Sequence, residues 1–157
     1  MSDNVRGALF NSLGDIEGLS VLDAFAGTGA IAIEAISRGA AWSQAVEKDP
    51  RIFKILTTNV ALLGVQDQIS TTRANVVSWS QRHQDARFDI VVCDPPYNKL
   101  QLGTVGDLVR HLKSTSIMVV SHPGKEPEPS IHGVVAVGNK RYGDAALTFY
   151  RLIKSGS

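Results

Sequence analysis

Hydrophobic positions along the chain fall into two alternating rhythms. Short runs rich in β-branched residues occur at Ser20 to Ala24, Gln44 to Glu47, Ile69 to Arg73, Phe88 to Cys93 and Ile117 to Val120, and apolar runs of this length predict buried strands. Between the first of them the spacing changes. Ala30 to Arg38 predicts a helix that stops at Gly39, while Ile52, Ile55, Leu56, Asn59, Val60 and Leu63 repeat at helical intervals up to Gly64. Each glycine suits a helix C-terminus, where the chain turns left-handed. Asp49 and Pro50 set the start of the second helix, because the carboxylate caps free N–H groups and proline fits the first turn. Val76 to Arg82 and Val105 to Lys113 predict shorter helices. Repeated strand-helix units favour crossovers and a mostly parallel sheet, so the expected class is α/β.

The two ends depart from this rhythm. Val5, Ala8, Leu9 and Leu13 share one helical face, which predicts an amphipathic opening helix over residues 1–14 ahead of a core over 15–157. Val134 to Val137 and Ala145 to Leu152 read as two strands joined through Lys140 to Asp144, so an antiparallel hairpin should finish the sheet. Pro123 to Pro129, with three prolines and alternating charges, reads as a loop.

Composition narrows the picture only slightly. A chain of 157 residues, 43% hydrophobic and 20% charged, fits one globular domain, and the expected state is a monomer. Net charge is +1, so no strong positive field announces a nucleic-acid partner. The lone Cys93 has no internal disulfide partner, and no apolar run approaches the ~20 residues of a membrane span. Without a signal-peptide pattern at Met1, the expected location is the cytoplasm.

Chemistry enters at the first strand, where Val21-Leu22-Asp23-Ala24-Phe25-Ala26-Gly27-Thr28-Gly29-Ala30 runs through a glycine turn into a helix. Glycines there let a ligand approach the backbone closely. Gly27, Gly29 and Ala32 also satisfy a dinucleotide fingerprint, with Glu47 following at the end of the second strand, so a nicotinamide enzyme is one reading. Asp23 disfavours it. A carboxylate at that strand end repels a pyrophosphate but accepts hydrogen bonds from the ammonium of S-adenosylmethionine. Glu47 can hold both hydroxyls of a ribose, which serves either cofactor. Asn75 can meet an adenine edge or cap the helix that follows, and sequence weighs the two equally. Asp49 is explained by capping.

The most specific signal is Asp94-Pro95-Pro96-Tyr97 at the end of the fourth strand. An amino group conjugated to a base is a poor nucleophile, since its lone pair is delocalised into the ring. The Asp94 carboxylate and the Pro95 carbonyl can grip its two hydrogens and stabilise charge that develops on nitrogen, and Tyr97 can stack on the base. A plain Asp-Pro turn explains the prolines without the flanking acid and aromatic. Cys93 and Trp79 read as packing residues, and His83, His111, His122 and His132 show no metal-ligand spacing, so no metal is expected. His122 is the one to watch, since the end of a central strand can border the cleft.

With these motifs the sequence resembles the class I methyltransferases and, among them, the bacterial family that methylates the exocyclic nitrogen of guanine in small-subunit ribosomal RNA. Ser2 to Asn11 and Arg141 to Leu147 carry the resemblance beyond the two motifs. It implies a Rossmann-like, doubly wound, seven-stranded sheet and S-adenosylmethionine as cofactor. Asp23, Phe25, Gly27 and Gly29 would line the methionine part, Glu47 the ribose and Asn75 the adenine, with Lys48, Val76 and Asp94 completing the cofactor set. Asp94, Pro95, Pro96 and Tyr97 would hold the base, while Arg6 and Asn11 would contact cofactor or RNA. The implied partner is ribosomal RNA or a small-subunit assembly particle. The family's basic N-terminal hairpin does not appear, and Asn4, Gly7 and Ser121 stand where relatives carry charged residues. The competing functions are methylation of adenine or of a protein glutamine, and a cofactor-binding module that depends on a partner protein.

Overall fold

The computed structural model describes residues 1–96 and 102–154. Helix α1 (Asp3–Leu13) opens with the Ser2 hydroxyl accepting from the Val5 N–H and buries Val5, Leu9 and Phe10. Strand β1 (Ser20–Asp23), helix α2 (Ala30–Ser37), strand β2 (Trp42–Glu47), helix α3 (Pro50–Leu62), strand β3 (Ile69–Arg73), helix α4 (Val76–Arg82) and strand β4 (Phe88–Cys93) then alternate in the predicted order. Asp49 caps α3 through the N–H groups of Arg51 and Ile52, and Pro50 occupies the first turn. Helix α5 (Leu102–Asp107), a 3₁₀ turn (Leu108–His111) and strands β5 (Leu112–Pro123), β6 (Val134–Tyr142) and β7 (Ala145–Leu152) complete the chain.

Several boundaries correct the sequence reading. The helix expected over Val105 to Lys113 starts earlier and tightens into the 3₁₀ turn, giving way to strand at Leu112. Strand β5 extends well beyond Ile117 to Val120, and β6 runs on to Tyr142, so the connection to β7 shrinks to Gly143 and Asp144. Gly143 takes a φ of +61° while Asp144 does not enter the left-handed region, the pattern of a two-residue hairpin turn that needs glycine first.

All seven strands form one Rossmann-like sheet in the order β3-β2-β1-β4-β5-β7-β6. β1 pairs in parallel with β2 and β4, and β5 continues the parallel set beside β4, whereas β7 runs antiparallel to both β5 and β6. One apolar cluster packs α1 and α2 on the sheet through Leu9, Phe10 and Ile31, and another packs α4 and α5 on it through Trp79, Val105 and Leu108. Trp79 packs in the core, with ring centroids 6.2 Å from Phe88 and 5.1 Å from His111.

This order fixes where a ligand can sit. The chain winds from β1 towards β3 on one side and from β4 towards β7 on the other, so the carboxyl ends of β1 and β4 diverge at the switch point, the crevice where open α/β sheets bind ligands. Because β7 is reversed, its first residue, Ala145, pairs with Pro123 at the carboxyl end of β5. The β6–β7 turn therefore lies at the same edge.

Candidate active site

Along that edge lies a cavity of about 790 Å³, large enough for a nucleoside-sized ligand with room to spare. Residues from four strand ends line it: Ala24, Phe25 and Gly27 after β1, Val46 to Asp49 at the end of β2 and just beyond it, Ala74 to Val76 after β3, and Asp94 to Pro96 after β4. Met1, Ser2 and Val5 at the start of α1 close one side, together with Tyr142, Asp144 and Ala145 from the hairpin. A smaller space of about 180 Å³ adjoins it, sharing Met1, Phe25, Gly27 and Asp94 and reaching Arg6, Thr28, Ala30 and Ile31.

Glu47 organises the glycine loop. Its Oε1 accepts from the Gly27 N–H at 2.9 Å and its Oε2 from the Asp49 N–H at 2.8 Å, which ties the ends of β1 and β2 together. Each oxygen keeps a further lone pair for a ligand hydroxyl. At Gly27, φ is +56° and an added side chain would meet nothing within 4 Å, so the loop presents bare backbone to open space. Gly29 is constrained from the other direction: its φ is +95°, and a β-carbon there would approach Leu56 Cδ1 to 2.5 Å. The first glycine gives access and the second gives close packing.

Asp23 lies beneath the cavity wall rather than in it. It is fully buried, its Oδ2 accepts from the Ala32 N–H at 3.2 Å, and its Oδ1 has no hydrogen-bond partner among the described residues. Burial first, and the nearby Asp94 and Glu47 charges less, push its carboxyl up to about 7 despite the opposing hydrogen bond from Ala32. A buried acceptor without a partner calls for an explanation. A cation held in the adjoining cavity would supply one by stabilising the charge.

Asp94 differs in exposure. Its side chain is 17% exposed, and Oδ2 accepts from the Met1 amino nitrogen at 3.0 Å, so this oxygen can receive an amino donor. Pro95 is buried and Pro96 exposed, while Tyr97 lies outside the described residues.

The structure thus brings Phe25, Gly27, Glu47, Lys48, Asn75, Val76, Asp94, Pro95 and Pro96 to one cavity. Asn75 caps α4, its Oδ1 accepting from the Val77 N–H at 2.9 Å, and the residue also lines the space. Arg6 reaches only the smaller space and pairs with Asp3 at 2.9 Å and Glu34 at 3.5 Å. Asn11 is not brought to either cavity; its Oδ1 accepts from the Arg38 guanidinium at 3.0 Å. His122 does not border the cleft either, being fully buried with Nε2 2.7 Å from the Thr148 hydroxyl. Sequence reasoning missed Asp49 and Ile52, and missed Tyr142, Asp144 and Ala145. Helical spacing carried a signal for Ile52, one turn beyond a proposed ligand. The hairpin residues fall within the Arg141 to Leu147 segment that carries the resemblance, but no local pattern placed them at the cavity, because the reversed strand brings them in.

Residues 1–151 match the family model described as conserved hypothetical protein 95. Ribosomal RNA small subunit methyltransferase D of Buchnera aphidicola subsp. Acyrthosiphon pisum is 34% identical over 99 residues, covering 62% of this chain and 51% of that protein. The match to this curated relative thus spans about half of its length. A conserved hypothetical protein of Streptococcus pyogenes superposes with a TM-score of 0.80 at 30% identity, covering 94% of this chain and 95% of the other. An RNA methyltransferase from Salinibacter ruber, solved in complex with S-adenosyl-L-homocysteine, shares the fold with a TM-score of 0.77 at 14% identity, covering 100% and 95%.

Proposed function

Since this chain belongs to the family described as conserved hypothetical protein 95, and resembles ribosomal RNA small subunit methyltransferase D, we propose that it transfers a methyl group from S-adenosylmethionine to the exocyclic amino nitrogen of a guanine in small-subunit ribosomal RNA. One observation carries this reading: a single cavity joins the Gly27–Glu47 loop to the Asp94-Pro95-Pro96 segment. The first part suits a nucleoside with an amino-acid tail, and the second suits an amino group that must be held still beside it.

The residues fit that cofactor. Gly27 leaves room for it, Glu47 offers acceptors for ribose hydroxyls, and the orphaned Asp23 Oδ1 favours a cationic end group. Glu47, Asp49 and Asp94 line the space with carboxylates and Asp23 lies buried behind its wall, which suits a sulfonium and an ammonium and repels a pyrophosphate. When bound, the cofactor supplies an electrophilic methyl group.

Asp94 Oδ2 and the Pro95 carbonyl each accept a hydrogen from the target amino group, which fixes the nitrogen and draws its lone pair out of conjugation. As the nitrogen bonds to the methyl carbon it gains positive charge, and Asp94 stabilises that charge where it forms. The methylated nitrogen is then acidic, and its extra proton passes to water. Pro95 contributes a carbonyl and no competing donor. A base paired in a helix must first be flipped out to reach this slot.

Incubation of the protein with labelled S-adenosylmethionine and ribosomal RNA, assembled small subunits, DNA or a release factor tests the proposal. Label on guanine of small-subunit RNA supports it. Label confined to protein overturns the nucleic-acid reading, and label on adenine overturns the choice of base.

A further inference from the structure

We propose that Asp144, in the β6–β7 turn, reads the target base by accepting the ring N1–H of guanine, making it a specificity-determining residue. This inference rests on the guanine methylation proposed above. Asp144 lines the same cavity as Asp94 and Pro95 yet comes from the turn between the last two strands of the sheet order, while Asp94 and Pro95 follow the central β4. Among the described residues its carboxylate has no hydrogen bond or ion pair, in contrast to Asp49 and Glu47.

The turn that carries Asp144 is tied to Gly124, just beyond the end of β5. The Gly124 N–H donates to the Asp144 carbonyl at 2.8 Å, and the Arg141 guanidinium donates to the Gly124 carbonyl. Gly124 packs so closely that an added β-carbon would come within 2.5 Å of the Gly143 carbonyl oxygen. A carboxylate on a fixed turn can select geometry as well as charge. Tyr142, half-buried beside it, supplies the adjoining wall.

Chemistry decides what such a wall prefers. Guanine places its N1–H donor next to the 2-amino group, so a base whose amino nitrogen is gripped by Asp94 and Pro95 offers one more donor on the same edge. Adenine offers an unprotonated N1 beside its amino group, and a carboxylate there meets a lone pair. A polar group left facing the wrong partner discriminates more strongly than one merely absent. Asp94 would thus recognise the amino group shared by both bases, and Asp144 the feature that separates them.

The test uses a short RNA stem-loop around the guanine that the wild-type protein labels, made with guanine, 2-aminopurine or adenine at that position. 2-Aminopurine keeps the 2-amino group but has an unprotonated N1. The wild-type protein should favour guanine over 2-aminopurine. Asp144→Ala should lower kcat/KM on guanine by about 10- to 100-fold, with a much smaller change on 2-aminopurine. Asp144→Asn should go further and raise activity on 2-aminopurine, because its amide can donate to N1. An equal loss on both bases, or an unchanged ratio in both variants, overturns the inference while guanine methylation by the wild-type protein still stands. Absence of any guanine labelling by the wild-type protein overturns the underlying reading and this one together.

Discussion

Asp23 ends β1 and Asp94 follows the end of the neighbouring β4, and their different burial fits the different work that the proposed function gives them. Asp94 is within reach of a nitrogen donor, and in the proposed reaction it acts on charge that appears only during transfer. Interactions made mainly in the transition state govern turnover more than binding. Asp94→Ala should therefore reduce the single-turnover rate about 10²–10⁴-fold while leaving cofactor affinity nearly intact, as rapid-quench and calorimetric titrations would measure. A wild-type rate in the folded variant would remove the mechanism. Asp23 meets no solvent, and its carboxyl, pushed up to about 7, holds its proton in mildly acidic buffer. A cationic ligand prefers the ionised form and must displace that proton below about 7. Affinity for S-adenosylmethionine should thus be several-fold weaker at pH 6 than at pH 7.5, and Asp23→Asn should flatten the dependence. Equal pH profiles for the two proteins would show that the site does not sense Asp23.

At the scale of elements, the junction between β1 and α2 concentrates the constraints. Gly29 must satisfy a left-handed backbone and the Leu56 side chain of α3 together. Gly29→Ala should destabilise the protein by about 1–3 kcal/mol, measured by chemical denaturation, and loosen cofactor binding in step. Truncating the neighbour in Gly29→Ala/Leu56→Ala should recover the steric part and not the backbone part. Recovery to more than the stability of Leu56→Ala alone would refute the backbone contribution. This junction was legible in the sequence because its signals are local: strand, glycines, helix. So were β3, α4, β4 and β7, each bounded by caps or turns. The start of β5 was not, because Lys113, Ser114 and Thr115 are exposed and break the apolar run. The far end of β6 was hidden for a related reason. It is an edge strand whose Asn139, Lys140 and Arg141 are polar, and pairing with Thr148, Leu147 and Ala146 makes it a strand. Propensity gives way there to partner geometry. The hairpin wall of the cavity was lost with it, since only long-range pairing brings Tyr142 and Asp144 to the crevice.

For the whole molecule, stability against pH is set by buried groups that pull in opposite directions. His111 and His122 are fully buried, and burial holds both below their ordinary value of 6.5 despite the carbonyls that face them. His111 has Nδ1 2.8 Å from the Ala86 carbonyl and Nε2 2.7 Å from the Ser80 hydroxyl. His122 faces the Pro123 carbonyl at 3.2 Å and the Thr148 hydroxyl at 2.7 Å, and Asn139 donates to that same hydroxyl. Both networks suit a neutral ring with the proton on Nδ1. The unfolded chain takes up protons as pH falls through 6.5 while the folded chain resists them, so these residues make the protein less stable in acid. Asp23 acts with the other sign. The folded chain keeps its proton up to about 7 and the unfolded chain releases it near 3.8, so this carboxyl makes the cofactor-free protein less stable as pH rises through that window. Asp23→Asn replaces the acid with a neutral group of similar shape and leaves both histidine networks untouched. The variant should therefore be more stable than wild type at pH 8, with the gap narrowing by on the order of 2 kcal/mol by pH 5. Saturating S-adenosylmethionine should shrink the gap at pH 8, because a cationic ligand stabilises the charge that Asp23 otherwise bears alone. Urea titrations at the two pH values, with and without the cofactor, measure all four stabilities. A gap that is constant from pH 8 to pH 5 would mean that Asp23 is already ionised in the free protein, and its unpartnered oxygen would then need another explanation.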